Sequence, residues 1–399
     1  MSSAKCGFLK QTAERELKEV ILPFWMGRAV DLMRGGFYGC VGPDNQPVPD
    51  APRGDILNAR LVWAFSAAAR VLGEPLCRAY ADRAYDYFRE HFVDPVYGGV
   101  WWDVNPDGSV KTDFKYVYSN GFALYAFSEY YRATGEPQAL EDAWKIFRIL
   151  EERAFQPECG GYLECFTRNW KEEFRHLYHR PSRPVAMTMN THLHILEPYT
   201  NFYRIAPTAE TRAALVRLIE IFLDRIFDPA DGHFRTLFDR NWNSLHAEHS
   251  YGHEIEGSWL LREAADVLGD PEISKRVDAV WPRLVRASYE GRCEDGSMIY
   301  EYHPDTGKRR LGRSWWVQAE LVVGSLNAWQ HGMGESYLDD AVQTMEYILH
   351  HVSDRRNGDW FELVDRFGVP SLSENKADHW KCPYHNSRMC LETMVRLSE

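Results

Sequence analysis

The chain repeats itself six times. A glycine-centred turn running into a short aromatic strand occurs as RGGFYG (Gly35, Gly36), YGGVWW (Gly98, Gly99), CGGYLE (Gly160, Gly161), DGHFRTL (Gly232), DGSMIYE (Gly296) and NGDWFEL (Gly358). The last glycines stand at 36, 99, 161, 232, 296 and 358, so successive steps are 63, 62, 71, 64 and 62 residues. A period held from end to end means one structural unit packed on copies of itself, because a single unit cannot bury its own apolar face. The repeat therefore predicts one domain over residues 1–399, where length alone would allow two or three.

Each interval holds two helical stretches, and the two differ in kind. The second stretches, such as YADRAYDYFREHF and LEDAWKIFRILEERAF, place apolar residues at i, i+3, i+4 and i+7 beside a charged face. The first stretches, such as LVWAFSAAARVL and GFALYAFSEYY, are apolar nearly all round and rich in small residues. A helix without a polar face is buried. With a first helix at about 7–25, paired stretches through 57–354 and a last helix at 382–399, the count is about twelve. Six buried helices alternating with six amphipathic ones describe an all-α (α/α)6 barrel, with short β-hairpin turns at the junctions. The alternative is an open solenoid of helical pairs, but neither end reads as a polar cap.

A net charge of -12 argues against a nucleic-acid or anionic-membrane partner. The eight cysteines include no CxxC pair, the N-terminus has no apolar signal stretch, and no run approaches membrane-spanning length. These features predict a soluble, cytoplasmic protein.

In a buried helix the polar residues carry the information. They fall near the start of the first helices: Arg60, Tyr118, Asn190 with His194, His253 with Glu256, Trp316 with Glu320, and His385, at 19 to 33 residues past the preceding repeat glycine. Equal phase in a closed barrel means equal height, so these side chains should ring one mouth. Asn190 and His194 are i, i+4, as are Trp316 and Glu320, while His253 and Glu256 are i, i+3, so each pair shares a helix face. His192 and His194 resemble an HxH metal pair, but i and i+2 point apart on a helix, which makes His192 structural. Zinc held by His194, His253 and His385 is the less favoured use of those histidines. Trp315, Trp316, Trp380 and Tyr384 suit sugar-stacking platforms better than core filling.

The stretches NARLVWAFSAAAR, MNTHLHILEPYTNFYR, YGHEIEGSWLL, WWVQAE and KADHWKCPYHNSRMCLE resemble the N-acylglucosamine 2-epimerase superfamily, and within it the cellobiose 2-epimerases, from about residue 58 to the C-terminus. The resemblance implies an (α/α)6-barrel enzyme with neither cofactor nor metal that inverts C2 of an aldose, or of the reducing-end unit of a β-1,4-linked disaccharide. It places the acid/base histidines on His253 and His385, a third active-site histidine on His194 and an arginine on Arg60. Substrate contacts fall on Tyr118, Asn190, Glu256, Trp316 and Trp380, and Glu320 joins them as the face-mate of Trp316. Pro198, where alanine is expected, and Glu254, where aspartate is usual, depart from the pattern.

Such a reaction needs the open-chain aldehyde, removal of the C2 proton and return of a proton to the opposite face. Two histidines with pKa near working pH suit it. Arg60 is placed to meet the enediolate charge, His194 to open the ring or donate to O1, and Glu256 to hold a histidine tautomer or a hydroxyl. Reprotonation at C1 would give a ketose, so a monosaccharide epimerase or aldose–ketose isomerase is the alternative. A glycoside hydrolase using two of Glu256, Glu320 and Asp378 is disfavoured because histidines outnumber carboxylates at this phase, and a non-catalytic sugar-binding protein would not need a histidine on each side. The partner is a small-molecule sugar, with the chain a monomer or homodimer. The longest step leaves extra loop at 167–187, expected to wall the pocket.

Overall fold

In the computed structural model, which describes residues 2–173 and 185–398, twelve helices are formed among the described residues. Six make an inner ring: Asp55–Leu72, Val117–Thr134, Met189–Ile205, Tyr251–Leu268, Trp315–Gln330 and His385–Arg396. Each packs on the next, and the sixth packs back on the first, so the ring is closed. The outer helices are Pro75–Phe92, 137–154, 209–226, 271–288 and 336–352. The N-terminal helix, which runs over 2–27 rather than 7–25, is the outer partner of the sixth inner helix. The two chain ends therefore complete one repeat together, and the arrangement is the (α/α)6 barrel rather than the solenoid.

The division into layers follows from sequence. In the first inner helix every residue from Asp55 to Ala68 is buried, which suits an element packed on all sides. Small residues let these helices touch: a Cβ built on Gly121 would lie 2.4 Å from the backbone oxygen of His194. That oxygen belongs to the carbonyl that Pro198, lacking an N–H, cannot bond at i−4, so the proline's disruption is met by a glycine on the neighbouring helix. The inner-to-outer corners share one construction, Gly73-Glu74-Pro75, Gly135-Glu136-Pro137 and Gly269-Asp270-Pro271. The glycine ends the inner helix in the left-handed region (φ 67°, 71° and 65°) and the proline opens the outer one with a residue that needs no hydrogen-bond donor. The fourth outer helix is not continuous as the amphipathic pattern predicts. It breaks between Asp278 and Trp281, where Pro282 cannot donate to a preceding turn.

All six glycine turns are closed by antiparallel bridges, Val30–Phe37, Val93–Val100, Phe155–Tyr162, Phe227–Phe234, Arg292–Met298 and Ser353–Trp360. They are tighter than the expected hairpins, most being one residue pair long. A second belt fixes the mouth. The residues leading into each inner helix pair with the strand of the next repeat: Arg53 with Val104, Lys115 with Phe166, Met187 with Phe238, His249 with Tyr302, Arg313 with Val364, and finally Ala377 with Val41 across the chain ends. This belt sets the six inner N-termini at one level. No helix among the described residues is long and apolar enough to cross a membrane.

Candidate active site

At the level of those N-termini lies a cavity of about 520 Å³, within the range of small-molecule sites. Arg60, Tyr118, Asn190, His194, His253, Glu256, Trp316, Trp380 and His385 all line it. Glu320 does not; it stands fully buried behind His385. Inner helices supply the floor, and connecting segments supply a rim of Tyr300, Arg310, Glu362 and Glu374. None of them belongs to the helical phase: Tyr300 and Glu362 stand four residues past the repeat glycines Gly296 and Gly358, in the strands of two turns, while Arg310 and Glu374 lie outside the repeated motif.

The residue that organises the floor is Arg388, which the sequence reading missed. It lies one turn after His385 on the sixth inner helix and is buried. Its guanidinium donates to three carboxylates from three other inner helices: Glu197, Glu256 and Glu320, the last at 2.7 Å. Two of these carry the hold on to histidines. His385 Nδ1 donates to Glu320 Oε1 at 2.7 Å, and His194 Nδ1 donates to Glu197 Oε1 at 2.6 Å. An ionised carboxylate only accepts, so both rings carry their proton on Nδ1 and keep Nε2 as a base. Trp259 Nε1 donates to the second Glu320 oxygen at 3.0 Å, and the Tyr384 hydroxyl donates to Glu197. Glu256, expected to hold a histidine tautomer, instead takes Arg388 and is 4.0 Å from His385 Nδ1. Glu320 does that work because it lies one turn deeper on the adjacent fifth inner helix.

His253 is held differently, by Ser250 Oγ at 2.7 Å from its Nδ1. The Trp316 ring packs against both histidines, with centroids 4.7 Å from His253 and 5.5 Å from His385. Arg60 donates to the Tyr118 hydroxyl at 2.9 Å and to Cys382 Sγ, and its guanidinium lies 4.3 Å over Phe122 and 4.7 Å over Tyr384. These contacts fix it, and among the described residues no carboxylate pairs with it.

Charge is distributed by burial. Burial pushes His253 and His385 down to about 3, with Glu320 opposing it at both sites, and it lowers His194 as well. The histidines are thus not poised near neutrality, as first expected, but are neutral imidazoles before substrate arrives. Burial pushes Glu197 and Glu320 up, but Arg388 and a histidine outweigh it at each, leaving Glu320 at about 2. Glu256 goes the other way: burial and the Glu320 charge raise it well above the carboxylate range against Arg388. Its Oε2 has no hydrogen-bond partner among the described residues, and Glu256 lines the cavity.

The atoms of His194, His253 and Glu256 lie within 4.8 Å of one another, and so do those of Glu256, Glu320 and His385. The three-histidine zinc grouping does not form, because His385 belongs to the second cluster. Arg388 already supplies the positive charge among these carboxylates. His192, as expected, is structural: Nδ1 bonds the Thr188 carbonyl at 2.7 Å and Nε2 accepts from the Tyr162 N–H at 3.1 Å. Glu254 turns away to His233 at 2.9 Å. The candidate hydrolase acid Asp378 caps its own turn by accepting from the Trp380 and Lys381 N–H groups. Of the loop at 167–187, residues 174–184 lie outside the described residues. Its described start packs on the second repeat turn, with Trp170 Nε1 donating to the Tyr97 carbonyl at 3.0 Å.

This barrel and cavity are shared with known carbohydrate epimerases, and the likeness to them makes the protein a carbohydrate epimerase, an isomerase. The model of the N-acylglucosamine 2-epimerase (GlcNAc 2-epimerase) family matches residues 36–387, and the chain belongs to that family. It is similar to a cellobiose 2-epimerase of Bacteroides fragilis, 42% identical over 97% of this chain and 98% of that one. A cellobiose 2-epimerase of Ruminococcus albus is 33% identical, covering 96% and 97%. Among solved structures, cellobiose 2-epimerase from Bacillus thermoamylovorans superposes with a TM-score of 0.92 at 35% identity, covering 98% and 99%.

Proposed function

We propose that the protein interconverts glucose and mannose at the reducing end of β-1,4-linked disaccharides such as cellobiose, by proton transfer at C2. The observation that carries this reading is the pair His253 and His385, from two different inner helices, both packed on Trp316 and both lining one cavity. With the open-chain sugar over Trp316, one imidazole takes the C2 proton and the other returns a proton to the far face. A positioned acid or base contributes about 10²–10⁴-fold. Stabilising the cis-enediolate supplies more, and Arg60 with Tyr118 is placed for its oxygens. When His385 takes the proton, Glu320 meets the imidazolium charge. His253 has Ser250 and the face of Trp316 instead, so the two directions rest on differently supported bases. His194, held by Glu197, keeps Nε2 for O1 or ring opening, and Glu256 binds a hydroxyl as a donor.

The disaccharide reading rests on the named relatives and on the rim, where Tyr300, Arg310, Glu362, Glu374 and Trp380 line the cavity beside the floor residues. The test is incubation with cellobiose, lactose, mannose and N-acetylglucosamine, followed by chromatography. The reading expects 4-O-glucosyl-mannose from cellobiose. Glucose release, or turnover confined to monosaccharides, would overturn it.

A further inference from the structure

The segment at 246–250 (HAEHS) runs beside the strand Glu301–His303. His249 N–H donates to the Tyr302 carbonyl at 2.8 Å, and Tyr302 N–H returns a bond to His249 at 3.0 Å. In an antiparallel pair alternate residues share a face, so His249 and Tyr302 point one way while His246, Glu248, Glu301 and His303 point the other. On that second face the candidate ligand atoms of His246, Glu248 and His303 lie within 4.8 Å of one another. His246 Nε2 is 3.4 Å from Glu248 Oε2, His303 Nε2 is 3.0 Å from Glu301 Oε1, and the two imidazole centroids are 5.7 Å apart. Arg310 Nη1 reaches Glu301 Oε1 at 3.3 Å.

We propose that this face is a site for a divalent transition metal of the Zn²⁺ type, with His246, Glu248 and His303 as ligands and Glu301 as a fourth. Two imidazoles and two carboxylates are a donor set that zinc accepts in tetrahedral geometry. Two strands bring them together without help from a helix; His246, Glu248 and His303 are partly exposed and free to turn inward, while Glu301 is buried and already within 3.0 Å of His303 Nε2. The stacked pair on the opposite face does not offer the same. His233 and His249 lie 3.6 Å apart at 16° between planes, so their in-plane lone pairs run side by side instead of converging. The ribbon also carries Tyr300 and Arg310 of the cavity rim, which puts the metal outside the catalytic floor but against its wall.

The test is calorimetric titration of tag-free, EDTA-treated full-length protein with ZnCl2, alongside thermal unfolding with and without zinc. Wild type should bind one Zn²⁺ saturably and unfold at higher temperature when loaded. Glu248→Gln should weaken binding at least ~10-fold, and H246A/H303A, which removes two ligands, by more than that, with the metal-free melting temperature unchanged. His253→Ala should bind as wild type does. If the double variant does not fold, His246→Ala decides, since that side chain is 40% exposed. Absence of saturable binding, binding unchanged in these variants, or binding lost in His253→Ala would overturn the proposal.

Discussion

Glu320→Gln removes one negative charge from the base-holding network and little volume. In the wild type, Glu320 Oε1 accepts from His385 Nδ1 and Arg388, both at 2.7 Å, and Oε2 accepts from Trp259. When His385 takes the C2 proton, a buried imidazolium forms beside that carboxylate. Two unit charges about 4 Å apart interact by ~4 kcal/mol at the effective dielectric suited to protein sites. An amide keeps part of this through its own oxygen, so we expect a loss of ~3–4 kcal/mol in the transition state. At about 1.4 kcal/mol per tenfold, kcat should fall ~10²–10³-fold. KM should change little, because Glu320 does not line the cavity. The assay is initial-rate epimerisation of cellobiose, with circular dichroism and thermal unfolding to confirm the fold. A kcat within threefold of wild type in a folded variant would refute the view that Glu320 supports His385 as a base.

A Cβ at Gly252 would lie 2.5 Å from Trp316 Cη2, so Gly252→Ala should tilt the aromatic plate and raise KM about tenfold (~1.4 kcal/mol), with a smaller fall in kcat; separate kcat and KM measurements check this. Gly121→Ala meets the His194 backbone oxygen, which cannot swing away, and should cost ~1–3 kcal/mol of stability, read as a lower melting temperature. Burial pushes His192 down to about 4, so the folded state resists protonating it while the unfolded chain protonates near 6.5. Its contribution is full above pH 6.5 and is lost as pH falls toward 4, at up to ~1.4 kcal/mol per pH unit. His192→Gln should therefore show a shallower loss of stability than wild type across that window in denaturant titrations.

The barrel was legible because its signal is repeated: six glycine turns set the period, and the contrast between LVWAFSAAARVL and YADRAYDYFREHF separated inner from outer helices. The cavity residues were legible for a related reason. A polar side chain on an otherwise apolar helix stands out, and Arg60, Tyr118, His194, His253 and His385 all do. Arg388 carried the same signal three residues after His385, on the face that i, i+3 spacing shares, and Glu197 carried it three after His194. Both sit one turn deeper than the mouth, outside the phase that the cavity-lining residues share. Glu320 was found as a face-mate of Trp316, but its partner is on another helix, and no spacing within one segment reports that. Of the rim residues, Tyr300 and Glu362 stand at one position of the repeated turn and Arg310 and Glu374 outside it; which of them face the cavity is set by the strand belt, a pairing between repeats that the sequence does not display. The depressed histidines likewise depend on packing: the residue type supplies an ordinary pKa, and only the surroundings supply the shift.

The central claim is that one proton leaves C2 to a histidine and another arrives from the opposite side. It is tested most directly by following cellobiose turnover in D2O by proton NMR, with wild type, His253→Ala and His385→Ala. The account predicts that wild type places solvent deuterium at C2 of the epimerised product at a rate matching turnover, and that each folded variant loses epimerisation at least ~10²-fold. Epimerisation that keeps the original C2 proton, or full turnover in either variant, would contradict it.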